Sequence, residues 1–218
     1  RSSAASDVYK RQARDPAFCL LSQENIDSLA QYGQISYFSP LYGSDLPSVD
    51  LVYLPGGYPE LFARQLYRRK RLFSQLRDYI EEGGKLLAEC GGMVLLSHSL
   101  TVRQGGTAYE MANIFPFDFT MTTRTNAGYR QAEYHGLALR GYESHYTETA
   151  NPDGNLFTAT PVYTMRGNST SVPLFRYKNV FAGLVRWYWG ETDMLDLWKK
   201  VPTETNSPAF SFFWQKNI

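Results

Sequence analysis

The segment LLAECGGMVLL, from Leu86 to Leu96, constrains the fold of this chain more than any other. A short apolar run typical of a buried strand leads into Cys90, two glycines follow, and a helical pattern begins at once. A strand that turns abruptly into a helix at a nucleophilic residue has the layout of a nucleophile elbow. In open α/β folds this turn lies at the carboxyl end of the sheet, where binding sites are found. We therefore predict an α/β sheet with Cys90 at its functional edge.

The residues around Cys90 indicate reactivity. Glycine at positions 91 and 92 lets the backbone turn tightly and lets a substrate approach closely. The N–H groups at a helix start lower a thiol pKa and hold an anion, so the Gly91 N–H is a candidate oxyanion donor. The alternative for a free thiol is a buried core residue. We assign that role to Cys19, inside AFCLL, and the nucleophile position to Cys90.

A second glycine pair ends another buried run, in LPGGYPE from Leu54 to Glu60. Paired glycines there expose backbone N–H groups above the sheet, which suits the other half of an oxyanion hole. Alone, Gly56 and Gly57 could form a simple turn. Beside Cys90 on a neighbouring strand, they favour a functional role.

Helical and strand patterns alternate over the first half of the chain, which predicts a mostly parallel sheet with helices on both faces. Thr101 is followed by short β-like runs, and we predict a single domain. The predicted elements are helices at Gln23–Tyr32, within 61–83, after Cys90 and at Met194–Lys200, and strands at Gln34–Ser39, Asp50–Leu54, Lys85–Ala88, 128–134, 136–139, 162–165 and 179–185.

Composition excludes several classes of protein. Hydrophobic residues make up 43% of the 218 residues and charged residues 20%, as in an ordinary globular domain. The net charge of +1 gives no reason to expect nucleic acid or an anionic membrane as a partner. No apolar run approaches the ~20 residues that span a bilayer. Two cysteines in dissimilar surroundings favour a reducing, cytoplasmic location.

The first twelve residues, RSSAASDVYKRQ, are polar, and their few apolar residues recur with neither the helical nor the strand spacing. We interpret residues 1–12 as a foreign or disordered segment and residues 13–218 as the domain.

The segments VYLPGGYPELFARQL and KLLAECGGMVLL resemble the C-terminal glutamine amidotransferase domain of the cobyrinic acid a,c-diamide synthase family. The likeness runs from Ala13 to about Lys200 and includes ARDPAFCLLSQENIDSL and FRYKNVFAGLVRWYWGE. Sister enzymes that amidate hydrogenobyrinic acid or nickel-sirohydrochlorin share both motifs, so the tetrapyrrole stays open.

This resemblance implies a class I glutaminase fold, a Rossmann-like α/β sheet with a Cys–His pair. It gives Cys90 the position of the nucleophile that attacks the glutamine amide, and it places Gly56, Gly57 and Gly91 around the oxyanion and the glutamine. It also implies that ammonia passes to an N-terminal synthetase domain. There ATP and magnesium activate the corrinoid carboxylates.

The chain departs from the family in its extent. No G-x-x-x-x-G-K-[ST] phosphate loop occurs, so the synthetase half is absent from this sequence. We therefore expect no cofactor in this fragment and no ATP-dependent amidation by this chain alone. The family's strand before Ala13 is also expected to be missing, with residues 1–12 in its place.

A second departure concerns the catalytic base. The family's histidine belongs to a pattern like NVxASYxHxxW, and the equivalent run here, NVFAGLVRWYWGE, has Arg186 at that position. An arginine guanidinium does not deprotonate in a protein, so it cannot act as a general base. Its charge could still stabilise a Cys90 thiolate. His145 matches a family histidine in RGYESHYTE, with Tyr142 another departure; we interpret His145 as structural, the alternative being a substitute base.

These observations leave two main hypotheses. The first is a glutaminase domain of a corrinoid a,c-diamide synthase, impaired at its base. The second is a catalytically inactive pseudo-glutaminase that acts as a structural partner of a synthetase domain. A hydrolase or redox protein with the same cysteine turn is a third, which the extended resemblance disfavours.

Overall fold

A computed structural model describes residues 10–43, 45–46, 48–149 and 157–199. Within these ranges the chain forms two β-sheets and five α-helices. The helices are α1 (Gln23–Ala30), α2 (Ala63–Tyr67), α3 (Lys70–Glu81), α4 (Gly91–Leu96) and α5 (Asp196–Lys199). The strands are β1 (Lys10–Ala13), β2 (Ile35–Phe38), β3 (Leu51–Leu54), β4 (Lys85–Glu89), β5 (Ser99–Thr101), β6 (Ala108–Glu110), β7 (Asp118–Tyr134), β8 (Leu137–Thr149), β9 (Thr158–Thr160), β10 (Val162–Thr164), β11 (Leu174–Tyr177), β12 (Val180–Gly183) and β13 (Val185–Trp187).

The larger sheet has the strand order β2-β1-β3-β4-β12-β11-β9. Its first five strands run parallel, β11 pairs antiparallel with β12, and β9 pairs antiparallel with β11. Every residue of β3 and β12 is buried. Strands buried on both faces are the ones that read as continuous apolar runs. The predicted class, an α/β fold with a mostly parallel sheet, is confirmed.

Separate cores lie on the two faces of this sheet. Val52 and Leu54 of β3 belong to one core, which includes apolar residues of α2, α3 and α4. Leu51 and Tyr53 belong to the other, with residues of α1, α5 and the second sheet. This alternation is the two-residue period of a strand with both faces covered.

The second sheet has the order β13-β8-β7-β5-β6, with β10 also paired to β7. Its main ladder joins β7, of 17 residues, to β8, of 13 residues. The sequence predicted only short β-like runs here. Much of β7 is half-buried or exposed on both faces, so its side chains show little hydrophobic alternation from which a strand could be predicted.

The expectation that the strand before Ala13 is missing is wrong. Lys10–Ala13 forms β1, which pairs in parallel with β2 and β3. Its side chains fit this central position poorly. Lys10 is buried and donates from Nζ to the Leu29 carbonyl at 2.6 Å. Gln12 is also buried, and neither amide atom of its side chain has a hydrogen-bond partner among the described residues. Residues 1–9 lie outside the described residues.

Three predicted elements have different boundaries. The long helix expected within 61–83 is a 3₁₀ turn, Pro59–Phe62, followed by α2 and α3. The helix after Cys90 ends at Leu96. The last buried run divides at Leu184, because β12 pairs with β4 in one sheet and β13 with β8 in the other.

Candidate active site

Cys90 lies in a tight turn between β4 and α4, with φ 51° and ψ −110°. This left-handed conformation is unfavourable for a residue with a side chain, and such strain is found at functional sites. Gly92 allows the turn to pack against β3, because a Cβ there would lie 2.1 Å from the Leu54 carbonyl oxygen. The backbone therefore fixes the position of the sulfur.

The two glycine-bearing strand ends come together at this turn. A Cβ on Gly91 would lie 3.1 Å from the Gly57 nitrogen. A Cβ on Gly57 would lie 1.9 Å from the Ala17 carbonyl oxygen, so only glycine fits there. In the described part of the chain, no hydrogen bond occupies the Gly57 N–H. That N–H is free to donate to an oxygen above the sheet.

Cys90 opens into a cavity of about 270 Å³. Gly57 and Gly91 line it together with Arg186. The other lining residues are Leu20, Tyr58, Pro59, Glu60, Val94, Met121, Ser144, His145, Tyr146, Thr147 and Leu184. Gly56 does not line this cavity; it packs against the aliphatic part of Arg186, whose Cδ would lie 2.8 Å from a Cβ on Gly56.

Opposing influences act on the Cys90 thiol. Burial raises its pKa to about 11, whereas the charge of Arg186 and a hydrogen bond from the Gly91 N–H act to lower it. The Cys90 Sγ lies 3.7 Å from the Ser144 carbonyl oxygen, which accepts the S–H. The predicted effect of Arg186 on the thiol is present, but burial outweighs it. Free Cys90 is therefore a neutral thiol near pH 7.

The assignment of Cys19 to the core is wrong. Its side chain is exposed and lines an open cavity with Arg14 and Tyr37. The apolar run AFCLL suggested burial, but after Phe18 the chain leaves the core and enters the loop before α1.

Arg186 lies in β13 and borders two cavities, the one at Cys90 and a neighbouring cleft of about 710 Å³. Its guanidinium carbon is 6.0 Å from the centre of the Tyr142 ring. The Nε atom is buried and has no hydrogen-bond partner within the described part of the chain. A guanidinium thus stands beside the thiol and can supply charge, but it cannot remove a proton.

His145 reaches the same cavity, but its ring is already engaged. The Nε2 atom is 2.8 Å from Glu143 Oε1, and the Nδ1 atom is 2.9 Å from Thr147 Oγ1. Glu143 also pairs with Arg130. With both ring nitrogens in hydrogen bonds, His145 has none left for the Cys90 thiol.

The other two histidines do not line this cavity. His98 is paired with Asp118 at 2.8 Å on the surface, and His135 is exposed in the turn between β7 and β8.

Glu89, the residue before Cys90, has a role that its local sequence does not indicate. Its carboxylate is buried and accepts hydrogen bonds from the Tyr53 hydroxyl at 2.7 Å, the Trp189 Nε1–H at 3.0 Å and the Trp187 N–H at 3.2 Å. Burial raises the pKa of Glu89 to about 7. No local pattern reveals this network, since its donors lie more than thirty residues away in sequence.

The arrangement can support one kind of chemistry. A thiol beside two backbone N–H groups can attack an acyl carbon while the developing oxyanion is held by those donors.

No helix of the described residues is long and apolar enough to cross a membrane.

Glutamine amidotransferases are among the solved structures that share this fold. A glutamine amidotransferase from Thermotoga maritima aligns with a TM-score of 0.56 at 14% identity, over 82% of this chain and 75% of that one. The PurLQS structure, also from Thermotoga maritima, aligns with a TM-score of 0.56 at 13% identity. The alignment covers 83% of this chain and 87% of that one. The chain thus has the α/β fold of class I glutamine amidotransferases.

Sequence comparison gives the family. Residues 11–183 match the CobB/CobQ-like glutamine amidotransferase domain, and this chain belongs to that family. It is 35% identical to the cobyrinate a,c-diamide synthase of Fusobacterium nucleatum over 179 residues, which cover 78% of this chain and 39% of the relative. It is 40% identical to the hydrogenobyrinate a,c-diamide synthase of Stutzerimonas stutzeri over 142 residues, 64% of this chain and 33% of the relative. The matched part of the chain thus spans between about a third and two fifths of the length of these curated relatives.

Proposed function

We propose that this chain is the glutamine-hydrolysing domain of an a,c-diamide synthase that acts on a corrinoid or a related tetrapyrrole, with its hydrolytic step impaired. Cys90 would attack the side-chain amide of glutamine, ammonia would leave, and water would release glutamate from the thioester. The ammonia would serve an ATP- and magnesium-dependent synthetase domain of the kind the family contains. The similarity to cobyrinate and hydrogenobyrinate a,c-diamide synthases supports this assignment.

The observation that carries the proposal is the shared cavity of Cys90, Gly57 and Gly91. A thiol beside backbone N–H groups that could hold an oxyanion supports this chemistry. The impairment follows from Arg186. Since general acid–base catalysis contributes about 10²–10⁴-fold, a glutaminase without a base at this position loses on that order of rate.

The test is glutamine hydrolysis by the purified chain and by Arg186→His. We expect very slow hydrolysis by the wild type and at least a tenfold increase in the variant, since the imidazole can take the thiol proton and return it to ammonia. Adding Cys90→Ser should abolish the gain. Arg140→His is the matched control, because Arg140 lines the neighbouring cleft and not the Cys90 cavity. Ordinary enzymatic rates in the wild type would show that Arg186 does not occupy the position of the base.

A second candidate function has support of its own. The protonated Cys90 thiol and the fully engaged His145 are features of a site that does not turn over. In a pseudo-glutaminase the domain would support a synthetase partner, and free ammonia would supply the nitrogen. The same assay decides, because hydrolysis that stays absent in Arg186→His favours this second function.

A further inference from the structure

The Cys90 cavity contains one carboxylate that the chemistry above does not use. Glu60 lies in the 3₁₀ turn Pro59–Phe62 and is half-buried in the cavity lining. It has no ion-pair partner among the described residues, and a hydrogen bond to its own backbone N–H only partly offsets the cost of burial, so its pKa is raised. A carboxylate withdrawn from water without a cation beside it is costly.

Glu60 is close enough to the reacting atom for its charge to act there. The negative charge of Glu60 raises the pKa of the Cys90 thiol, opposite to the effect of Arg186. The cavity volume of about 270 Å³ is below the roughly 300–1,000 Å³ typical of pockets for drug-sized molecules. The space suits a ligand the size of an amino acid.

Of the described residues that line the cavity, Glu60 is the one whose side chain can neutralise an ammonium. Val94, one helical turn after Cys90, is apolar and buried. His145 is held by Glu143 and Thr147 through both ring nitrogens. The Ser144 carbonyl is occupied by the Cys90 thiol. An α-amino group entering this cavity therefore meets a single acidic partner.

We propose that Glu60 binds the α-ammonium group of glutamine and so orients its side-chain amide toward Cys90. This inference rests on the proposed function, because it takes glutamine as the ligand of the cavity. A charge-assisted hydrogen bond from the ammonium would give the Glu60 carboxylate the partner that it lacks. The residue would select an α-amino acid over a simple amide that lacks the amino group.

The experiment measures protection of Cys90 from iodoacetamide, followed by mass spectrometry of its peptide in the full chain. The protecting ligands are glutamine and its counterpart without the α-amino group, glutaramate. In the wild type we expect glutamine to protect at a concentration at least tenfold lower than glutaramate. Glu60→Gln should raise the half-protecting concentration of glutamine at least tenfold and leave that of glutaramate unchanged. These factors correspond to a charge-assisted hydrogen bond.

Two further variants make the result specific. Glu133→Gln removes an exposed carboxylate from β7 and should behave as the wild type. Glu60→Asp keeps the charge and should retain part of the preference for glutamine. In the absence of ligand, Glu60→Gln should react with iodoacetamide no more slowly than the wild type, since losing a negative charge lowers the thiol pKa. That readout also shows that the site is intact.

The outcomes that overturn the inference are distinct. If glutamine protects the wild type and Glu60→Gln equally, Glu60 does not bind the ammonium, and the proposed function stands. If glutamine does not protect Cys90 in the wild type, the cavity is not a glutamine site, and both proposals fail.

Discussion

At the scale of single residues, the reactivity of Cys90 depends on a balance between burial and charge. The turn that presents the sulfur to the cavity also removes it from water, and burial favours the neutral thiol. Arg186 opposes this effect without reversing it. A bound substrate, or a histidine in place of the arginine, would have to supply the activation that the free site lacks.

Alkylation of the two cysteines tests this balance. We expect iodoacetamide to label Cys19 faster than Cys90 near neutral pH, because Cys19 is exposed and Cys90 is buried. With a pKa of about 11, only about one Cys90 thiol in a thousand is ionised at about pH 8. Labelling of Cys90 should therefore accelerate by about tenfold for each unit of pH up to about 11.

Mass spectrometry of the two cysteine peptides over a pH series gives both rates from one sample. The variant Cys19→Ser serves as the control, since the Cys90 rate should not change in it. Faster labelling of Cys90 than of Cys19 near neutral pH would contradict this prediction and indicate an activated thiolate.

At the scale of elements, β1 shows a conflict between backbone and side chains. The strand occupies a central place in the parallel sheet, between β2 and β3. Such strands normally carry apolar residues on both faces, whereas this one buries Lys10 and Gln12. The ladder hydrogen bonds are independent of side-chain type, which explains how the strand forms with an unsuitable sequence.

Replacing Gln12 should therefore stabilise the protein. Gln12→Met keeps the length of the side chain and removes two buried amide atoms that have no partner. Since each unsatisfied buried polar group costs about 1–3 kcal/mol, we expect the free energy of unfolding to rise by about that amount. Urea unfolding followed by circular dichroism measures it.

The control for this change is Gln104→Met, in the exposed turn before β6, which should shift stability by less than about 0.5 kcal/mol. A loss of stability in Gln12→Met would mean that the amide of residue 12 is satisfied in solution.

At the scale of the whole molecule, a buried polar network joins the two sheets. Glu89 at the end of β4 receives hydrogen bonds from Tyr53 in β3 and from the N–H of Trp187 in β13. Asn25 of α1 extends the network, since it donates to the Trp187 carbonyl and accepts from the Trp189 N–H. Arg186 directly precedes Trp187, whose N–H and carbonyl are both bonded in the network. The network therefore holds Arg186 beside Cys90.

This network makes stability depend on pH. Burial raises the pKa of Glu89 from 4.5 to about 7, so the folded state binds the proton more tightly than the unfolded state. The stabilisation from protonated Glu89 is full below about pH 4.5 and is lost as the pH rises through about 7. The variant Glu89→Gln cannot ionise. Relative to the wild type, it should gain stability across this range, on the order of 3 kcal/mol.

Urea unfolding at a series of pH values gives this difference directly. Glu133→Gln, which removes an exposed carboxylate, should show a difference from the wild type that does not vary over the same range. A constant difference for Glu89→Gln as well would show that Glu89 is ionised throughout in the folded protein.

The local sequence determined the parts of this protein whose causes are local. The Cys90 turn, the PGG strand end and the apolar strands of the parallel sheet follow from glycine placement and runs of buried residues, and these also carry the family resemblance. The break between α2 and α3 was not predictable in this way, since the apolar period continues through 61–83 while the helix is interrupted at Arg68 and Arg69.

Tertiary structure decided what depends on residues distant in sequence. The burial of Gln12, the exposure of Cys19, the pairing of His145 with Glu143 and the network around Glu89 each depend on which segments pack against them. The same is true of Glu60, whose approach to Cys90 results from the ends of β3 and β4 meeting at one edge of the sheet. Sequence patterns report the period of an element and the chemistry of a turn. The solvation and charge environment of a side chain are set by its neighbours in space, and these exist only after folding.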